Sequence, residues 1–489
     1  MSRGILLAAL TMALAVTLAV PAARAQAPDR TAPPELGPPP RFDPPDPARF
    51  TLSNGLEVLL VEKHEVPLVQ VNLLVEAGSV HDPEGKTGLA SMTGAMLDEG
   101  AGGRTALELA DAIDYLGADV AVAVGKHSIS LRLHTPLARL EAALPLLADV
   151  AIRPDFPAEE LERQRAERLT TLLQWHDEPR AIAAAAFGRT LFGDAHPYGA
   201  TSLGTEASLR SFSVDDLRAF HGAHFHAGNA TLVVAGDVTE GAIRPLLEAA
   251  FGGWGGGTPS SSDVPEAAQV SSRAVWLVDK PGAAQSEIRI GRIGVARSAP
   301  DYEAILVMNT ILGGSFTSRL NQNLREDKGY SYGAFSFFDF QPHPGPFTAL
   351  AAVQTDVTAE ALVEFMAELR RILETVPDEE LDRARNYVAL GFPEGFQTVA
   401  GIAGQMGDLA LYDLAPDWYD GFVDRVLAVT REDVERVARE RIDPDRVTIV
   451  VVGDLEQIEA GVRALELGPV TTMEIEEVLG PRPVLSPGD

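Results

Sequence analysis

Thr231-Leu-Val-Val-Ala-Gly-Asp237 recurs as Thr448-Ile-Val-Val-Val-Gly-Asp454, an offset of 217 residues (448 minus 231). Each copy reads as the closing strand of a repeated unit. Ser213-Val-Asp-Asp216 and Thr430-Arg-Glu-Asp433, both shaped like capping-box helix starts, keep the same offset. Val58-Leu-Leu-Val-Glu-Lys63 pairs with Val275-Trp-Leu-Val-Asp-Lys280 in that register too. The chain is therefore duplicated, with each half running from a first strand to a last one. Gly252-Gly-Trp-Gly-Gly-Gly-Thr-Pro-Ser-Ser-Ser262 lies between the halves and reads as a linker.

Within each half the order is a strand pair, helices, further strands, amphipathic helices and the closing strand. Leu68 to Val75 and Ser128 to Leu133 alternate as half-buried strands do, whereas Ala106 to Leu116, Ala158 to Leu173 and Asp215 to His221 carry apolar residues at helical spacing. Hairpins beside helix pairs, without βαβ alternation, give an α+β class: two homologous α/β sandwich halves. The expected organisation is a signal peptide at 1–25, a Pro-rich tether at 26–48, a first domain at 49–255, a linker at 256–272, a second domain at 273–470 and a tail at 471–489.

The first 25 residues hold Arg3, an apolar run from Ile5 to Val20 and the small-residue site Ala23-Arg24-Ala25, the pattern of a cleaved secretory signal, with an uncleaved anchor as the alternative. Cleavage would remove two arginines and no acid, moving the formal charge from -30 to -32. So acidic a chain is a poor nucleic-acid binder. The absence of cysteine excludes disulfides and thiolate ligands. A periplasmic location fits an exported protein built without staples.

Gly88 to Gly100, His196-Pro-Tyr-Gly199, Thr231 to Asp237 and Leu312-Gly-Gly-Ser-Phe-Thr-Ser-Arg-Leu320 through Tyr332, set in duplicated α+β halves, resemble the insulinase family of zinc peptidases, which includes mitochondrial processing peptidase. The likeness covers roughly residues 49 to 470 and implies a clam-like chamber. Catalytic members carry His-x-x-Glu-His on a helix after Gly-Leu-Ala, with a glutamate ligand further on. Ligands four apart share a helix face, so one metal takes both imidazoles while the intervening glutamate polarises the bound water. Here the histidine positions are Ser91 and Ala95, the base position is Gly94 and the third ligand position is Thr171. No imidazole or carboxylate stands at any of them, so no metal is expected in this chain and zinc is expected in a partner subunit.

Arg325 and Tyr332, by contrast, match the arginine and tyrosine that relatives present from the second half toward the zinc site. A guanidinium and a phenol can donate hydrogen bonds to a carbonyl oxygen as it gains charge. Read without the resemblance, they are a solvated helix arginine and a half-buried strand tyrosine. Tyr330 is a nearby candidate for the same role, with a poorer spacing. Gly313, Gly314 and Ser315 are expected to form a flexible loop lining the chamber. Ala334 to Phe340 reads as a core-packing strand, with strand addition of an extended peptide as a second role.

His221, His224 and His226 form a cluster that reads as ordinary surface or core histidines, with a metal site as the alternative, and His64-Glu65 lacks the second histidine of a zincin motif. The leading expectation is a metal-free periplasmic subunit of a heterodimeric peptidase, supplying Arg325 and Tyr332 to a zinc-bearing insulinase-family partner that cuts extended peptides. Alternatives are a structural or peptide-binding homologue without proteolysis, resembling core subunits of respiratory complexes, and an independent hydrolase built on the histidine cluster.

Overall fold

The computed structural model describes residues 42–260 and 264–485. The expected signal peptide and most of the expected tether lie outside the described residues. Each half is built on a six-stranded mixed sheet. The first contains β1 (Ala48–Thr51), β2 (Glu57–Glu62), β3 (Leu68–Val75), β6 (Asp119–Val124), β7 (Ile129–Pro136) and β8 (Ala230–Gly236), in the order β1-β2-β8-β3-β7-β6. A two-stranded ribbon, β4 (Gly100–Ala101) with β5 (Arg104–Thr105), stands apart from it. The second contains β9 (Ala274–Asp279), β10 (Gln285–Ile293), β11 (Ser331–Phe338), β12 (Pro346–Gln354), β13 (Thr448–Gly453) and β14 (Val470–Met473), in the order β11-β12-β10-β13-β9-β14.

The two orders superpose in register. β2, β8 and β3 have their counterparts 217 residues on in β9, β13 and β10, and the capping boxes at Ser213 and Thr430 both start helices, Val214–His224 and Arg431–Arg441. The halves differ at one margin. β1 runs antiparallel to β2, whereas β14 runs parallel to β9.

Strands such as β13, buried along its whole length, require cover on both faces. One face of each sheet receives the half's own helices. Onto the other packs a helix lent by the opposite half: Pro179–Phe192 lies on β10 and β13, and Val399–Leu411 lies on β3 and β8. Ile402, Ala403, Met406 and Leu409 thereby close over Leu59, Val61, Val233 and Ala235. The described residues between helix Glu240–Phe251 and β9 form no helix or strand, and the Gln269 amide donates to the Ile293 carbonyl at 2.8 Å.

Two expected boundaries shift. The tail expected from residue 471 is part of the second half: β14 extends to Met473, and helix Ile475–Leu479 packs on Pro179–Phe192 with Val478 and Leu479 buried. The short, polar Val-Thr-Thr-Met run carries too little apolar pattern to announce a strand. The tether also ends early, because Phe42 packs edge-on against Phe392 and tilted against Phe396, with ring centroids 5.8 and 5.1 Å away.

Candidate functional site

In the first half the motif helix is Leu89–Ala95, entered through Gly88 at φ +91°. A glycine N-cap has no side chain to receive the first helical N–H groups. Asp82 does so from a distance, accepting from the backbone N–H groups of Gly88 and Ala90 at 2.7 Å each. Burial pushes its carboxyl up to about 6 despite those bonds. The helix is set against β6, where Val124 fills the space beside Gly94 so closely that an added Cβ would overlap its Cγ2.

Ser91 faces the long helix Ala158–Trp175. Its Oγ and its carbonyl both accept from Arg168, from Nη1 at 3.0 Å and Nη2 at 2.9 Å. Arg168 Nε is buried with no partner, and burial lowers the guanidinium's pKa. One turn on, the Thr171 hydroxyl donates back to the Glu167 carbonyl of its own helix at 3.0 Å. Ala95 offers a methyl group and Gly94 nothing. These residues do not fit a zinc ion: one hydroxyl already accepts from a cation, the other is committed to its own backbone, and no carboxylate or imidazole stands at the four positions.

In the second half Arg325 lies on a π-helical turn, Gln322–Asp327, anchored by the fully buried Leu324. Its guanidinium stacks over the Phe316 ring at 4.4 Å, with Nε 3.4 Å from the Glu326 carboxylate. Gly329, at φ +67°, turns the chain into β11, where Tyr332 is 92% exposed rather than half-buried. Among the described residues its phenol has no hydrogen-bond partner. Tyr330 packs against the second core, and its carbonyl accepts from Gln354, so it is committed to structure.

The fully buried Asn321 joins these pieces. Its amide donates to the Phe316 carbonyl at 2.7 Å, and its Oδ1 accepts from the Ala334 N–H at 3.2 Å. The expected chamber loop takes a different form. Gly313 and Gly314 belong to the π-helical turn Thr310–Gly314, and Gly313 is pressed so closely on Ser336 that a side chain has no room, while Ser315 is buried and donates to the Thr310 carbonyl at 3.1 Å. These glycines serve close packing.

A sequence model described as "Insulinase (Peptidase family M16)" matches residues 57–197, and a second, described as "Peptidase M16 inactive domain", matches residues 211–388. The chain belongs to the insulinase family. It is 24% identical over 400 residues to an uncharacterised zinc protease of Bacillus subtilis, covering 81% of this chain and 96% of that one. An uncharacterised zinc protease of Streptomyces coelicolor is 25% identical over 417 residues, covering 84% and 90%. Among solved structures, a peptidase M16 inactive domain from Pseudomonas fluorescens superposes with a TM-score of 0.79 at 27% identity, covering 83% of this chain and 98% of that one. A Helicobacter pylori protease shares the fold, with a TM-score of 0.77 at 21% identity over 83% and 99% of the two chains.

In this insulinase-family chain the two groups of candidate residues stand on different halves, Ser91, Gly94, Ala95 and Thr171 on the first and Arg325 and Tyr332 on the second. Arg168, Val124 and Asn321 escaped the sequence reading. Only Arg168 left a signal, three residues before Thr171 and so on the same helix face. The histidine cluster does not converge: His221 bonds the Ala151 carbonyl at 2.9 Å, His224 bonds Ser260 Oγ at 2.9 Å, and His226 Nδ1 is buried without a partner. Other histidines gather at the junction of the halves, where the His127 and His343 rings stack at 5.8 Å and His127 Nε2 lies 2.5 Å from Tyr198 Oη. β11 is an edge strand, with Phe335 and Phe337 exposed on one face and Ala334, Ser336 and Phe338 buried on the other.

Proposed function

We propose that this chain is an exported, metal-free subunit of a two-chain peptidase, acting in the periplasm with a zinc-bearing insulinase-family partner. Its contribution is Arg325 and Tyr332. The asymmetry between the two halves carries this reading: the three positions at which a catalytic relative would ligate metal hold serine, alanine and threonine and the base position holds glycine, while the guanidinium stays half-exposed and the phenol exposed on either side of one turn. Among the described residues no helix is long and apolar enough to cross a membrane.

The role of each group follows from its chemistry. As a peptide carbonyl becomes tetrahedral its oxygen gains negative charge, and donors already aimed at that oxygen lower the barrier without reorganising. The guanidinium offers five N–H donors on a rigid plane, which Phe316 holds flat by stacking. The phenol offers one O–H. Enclosure by the partner would remove water from both and strengthen each bond. Metal and general base belong to the partner, because the motif positions Ser91, Gly94, Ala95 and Thr171 carry no group able to ligate metal or take a proton.

The test is reconstitution with a zinc-bearing insulinase-family chain and an unfolded polypeptide substrate. Hydrolysis by the mixture, with none by this chain alone, is the expected result. Tight peptide binding without turnover in every combination would instead favour a non-proteolytic binding homologue.

A further inference from the structure

The positions at which a metal would draw ligands lie on two helices, Ser91 and Ala95 on Leu89–Ala95 and Thr171 on Ala158–Trp175. Side chains at those positions form no direct bond between the helices. The bridge is Arg168, one turn before Thr171, whose two terminal nitrogens meet the hydroxyl and the carbonyl of Ser91 together. Among the described residues Arg168 forms no ion pair. It bonds only dipoles, and the one carboxylate that attracts it, Glu167 beside it in the chain, is itself paired with Arg163 at 3.0 Å, so the space between the helices holds a buried positive charge without an ion-pair partner of its own.

We propose that Arg168 is a built-in cation that has taken over the vacated metal position, bracing the motif helix to the long helix and excluding a divalent ion. A planar guanidinium suits the task, because two separate nitrogens fixed in one rigid plane meet the hydroxyl and the carbonyl of one residue, whereas an ammonium would have to make both bonds from a single rotating atom. A second cation placed a few ångströms away would meet repulsion in a setting where burial weakens screening. Val124 completes the conversion by filling the room a side chain at Gly94 would need. The site is therefore closed to metal by charge as well as by loss of ligands, and restoring ligands alone does not reopen it.

The experiment restores the three ligand positions in the full chain as Ser91→His, Ala95→His and Thr171→Glu, once with Arg168 kept and once with Arg168→Leu. Zinc affinity is read by competition with a chromophoric chelator and by metal analysis after dialysis. The expected result is zinc binding at least about 100-fold tighter with Arg168→Leu, given the cost of placing like charges together. Equal affinities, or no binding in either background, would overturn the exclusion.

The brace is read separately by amide exchange across residues 89–95. Exchange should quicken about tenfold or more in Arg168→Gln and stay fast in Arg168→Lys, which keeps the charge but loses the fork. Unchanged protection in Arg168→Gln would overturn the brace, and this measurement decides alone if the ligand variants do not fold. Neither readout involves peptide hydrolysis, so failure here and failure of the two-chain peptidase are distinguishable.

Discussion

Gly94 shows how much the identity of one residue conveys and where it stops. That the chain lacks ligands at Ser91, Ala95 and Thr171 and a base at Gly94 is legible from the sequence, because that chemistry depends on residue type alone. That Val124 and Arg168 have moved into the vacated space is not, because those neighbours come from elements distant in the chain. Gly94→Ala should destabilise the protein by about 1 to 3 kcal/mol through overlap with Val124, as overpacking does. In a denaturation cycle with Val124→Ala the double variant should lose less than the sum of the single losses. Strict additivity would mean that the two side chains do not compete for one space.

Helix Val399–Leu411 carries a lesson at the scale of elements. The apolar spacing of segments such as Ala158 to Leu173 and Leu68 to Val75 foretells a helix and a strand, and the structure has Ala158–Trp175 and Leu68–Val75. Local periodicity says that a face must be buried and is silent about which sheet buries it, so the exchange of Pro179–Phe192 and Val399–Leu411 between the halves is not readable from it. Met406 is fully buried on the first half's sheet although it belongs to the second. Met406→Ala should cost about 2 to 5 kcal/mol. The loss should appear as faster amide exchange in β3 and β8, and exchange confined to the second half would contradict the placement.

The whole molecule inherits its cooperativity from that exchange. A chain ending at residue 255 would leave Leu59, Val61, Val233 and Ala235 uncovered, so it should be insoluble or molten where the intact chain unfolds in one transition. The junction should also be acid-sensitive. Burial, first, and then the charges of His343, His81 and Lys126 depress His127 to about 4, against the opposing pull of Asp339. Unfolded, the ring titrates near 6.5, so between these values the native state binds fewer protons than the unfolded state and stability falls as pH drops through that window.

The loss from His127 is bounded at about 3 kcal/mol, and His127→Gln should flatten that part of a melting-temperature profile. An unchanged slope would place the acid sensitivity elsewhere. For the proposed function the deciding measurement is kcat of the reconstituted two-chain complex with Arg325→Ala and with Tyr332→Phe in this chain, at unaltered complex formation. A fall of about 100-fold or more in each is the predicted result, the loss expected when one donor to a developing oxyanion is removed. Wild-type kcat in both variants would contradict it.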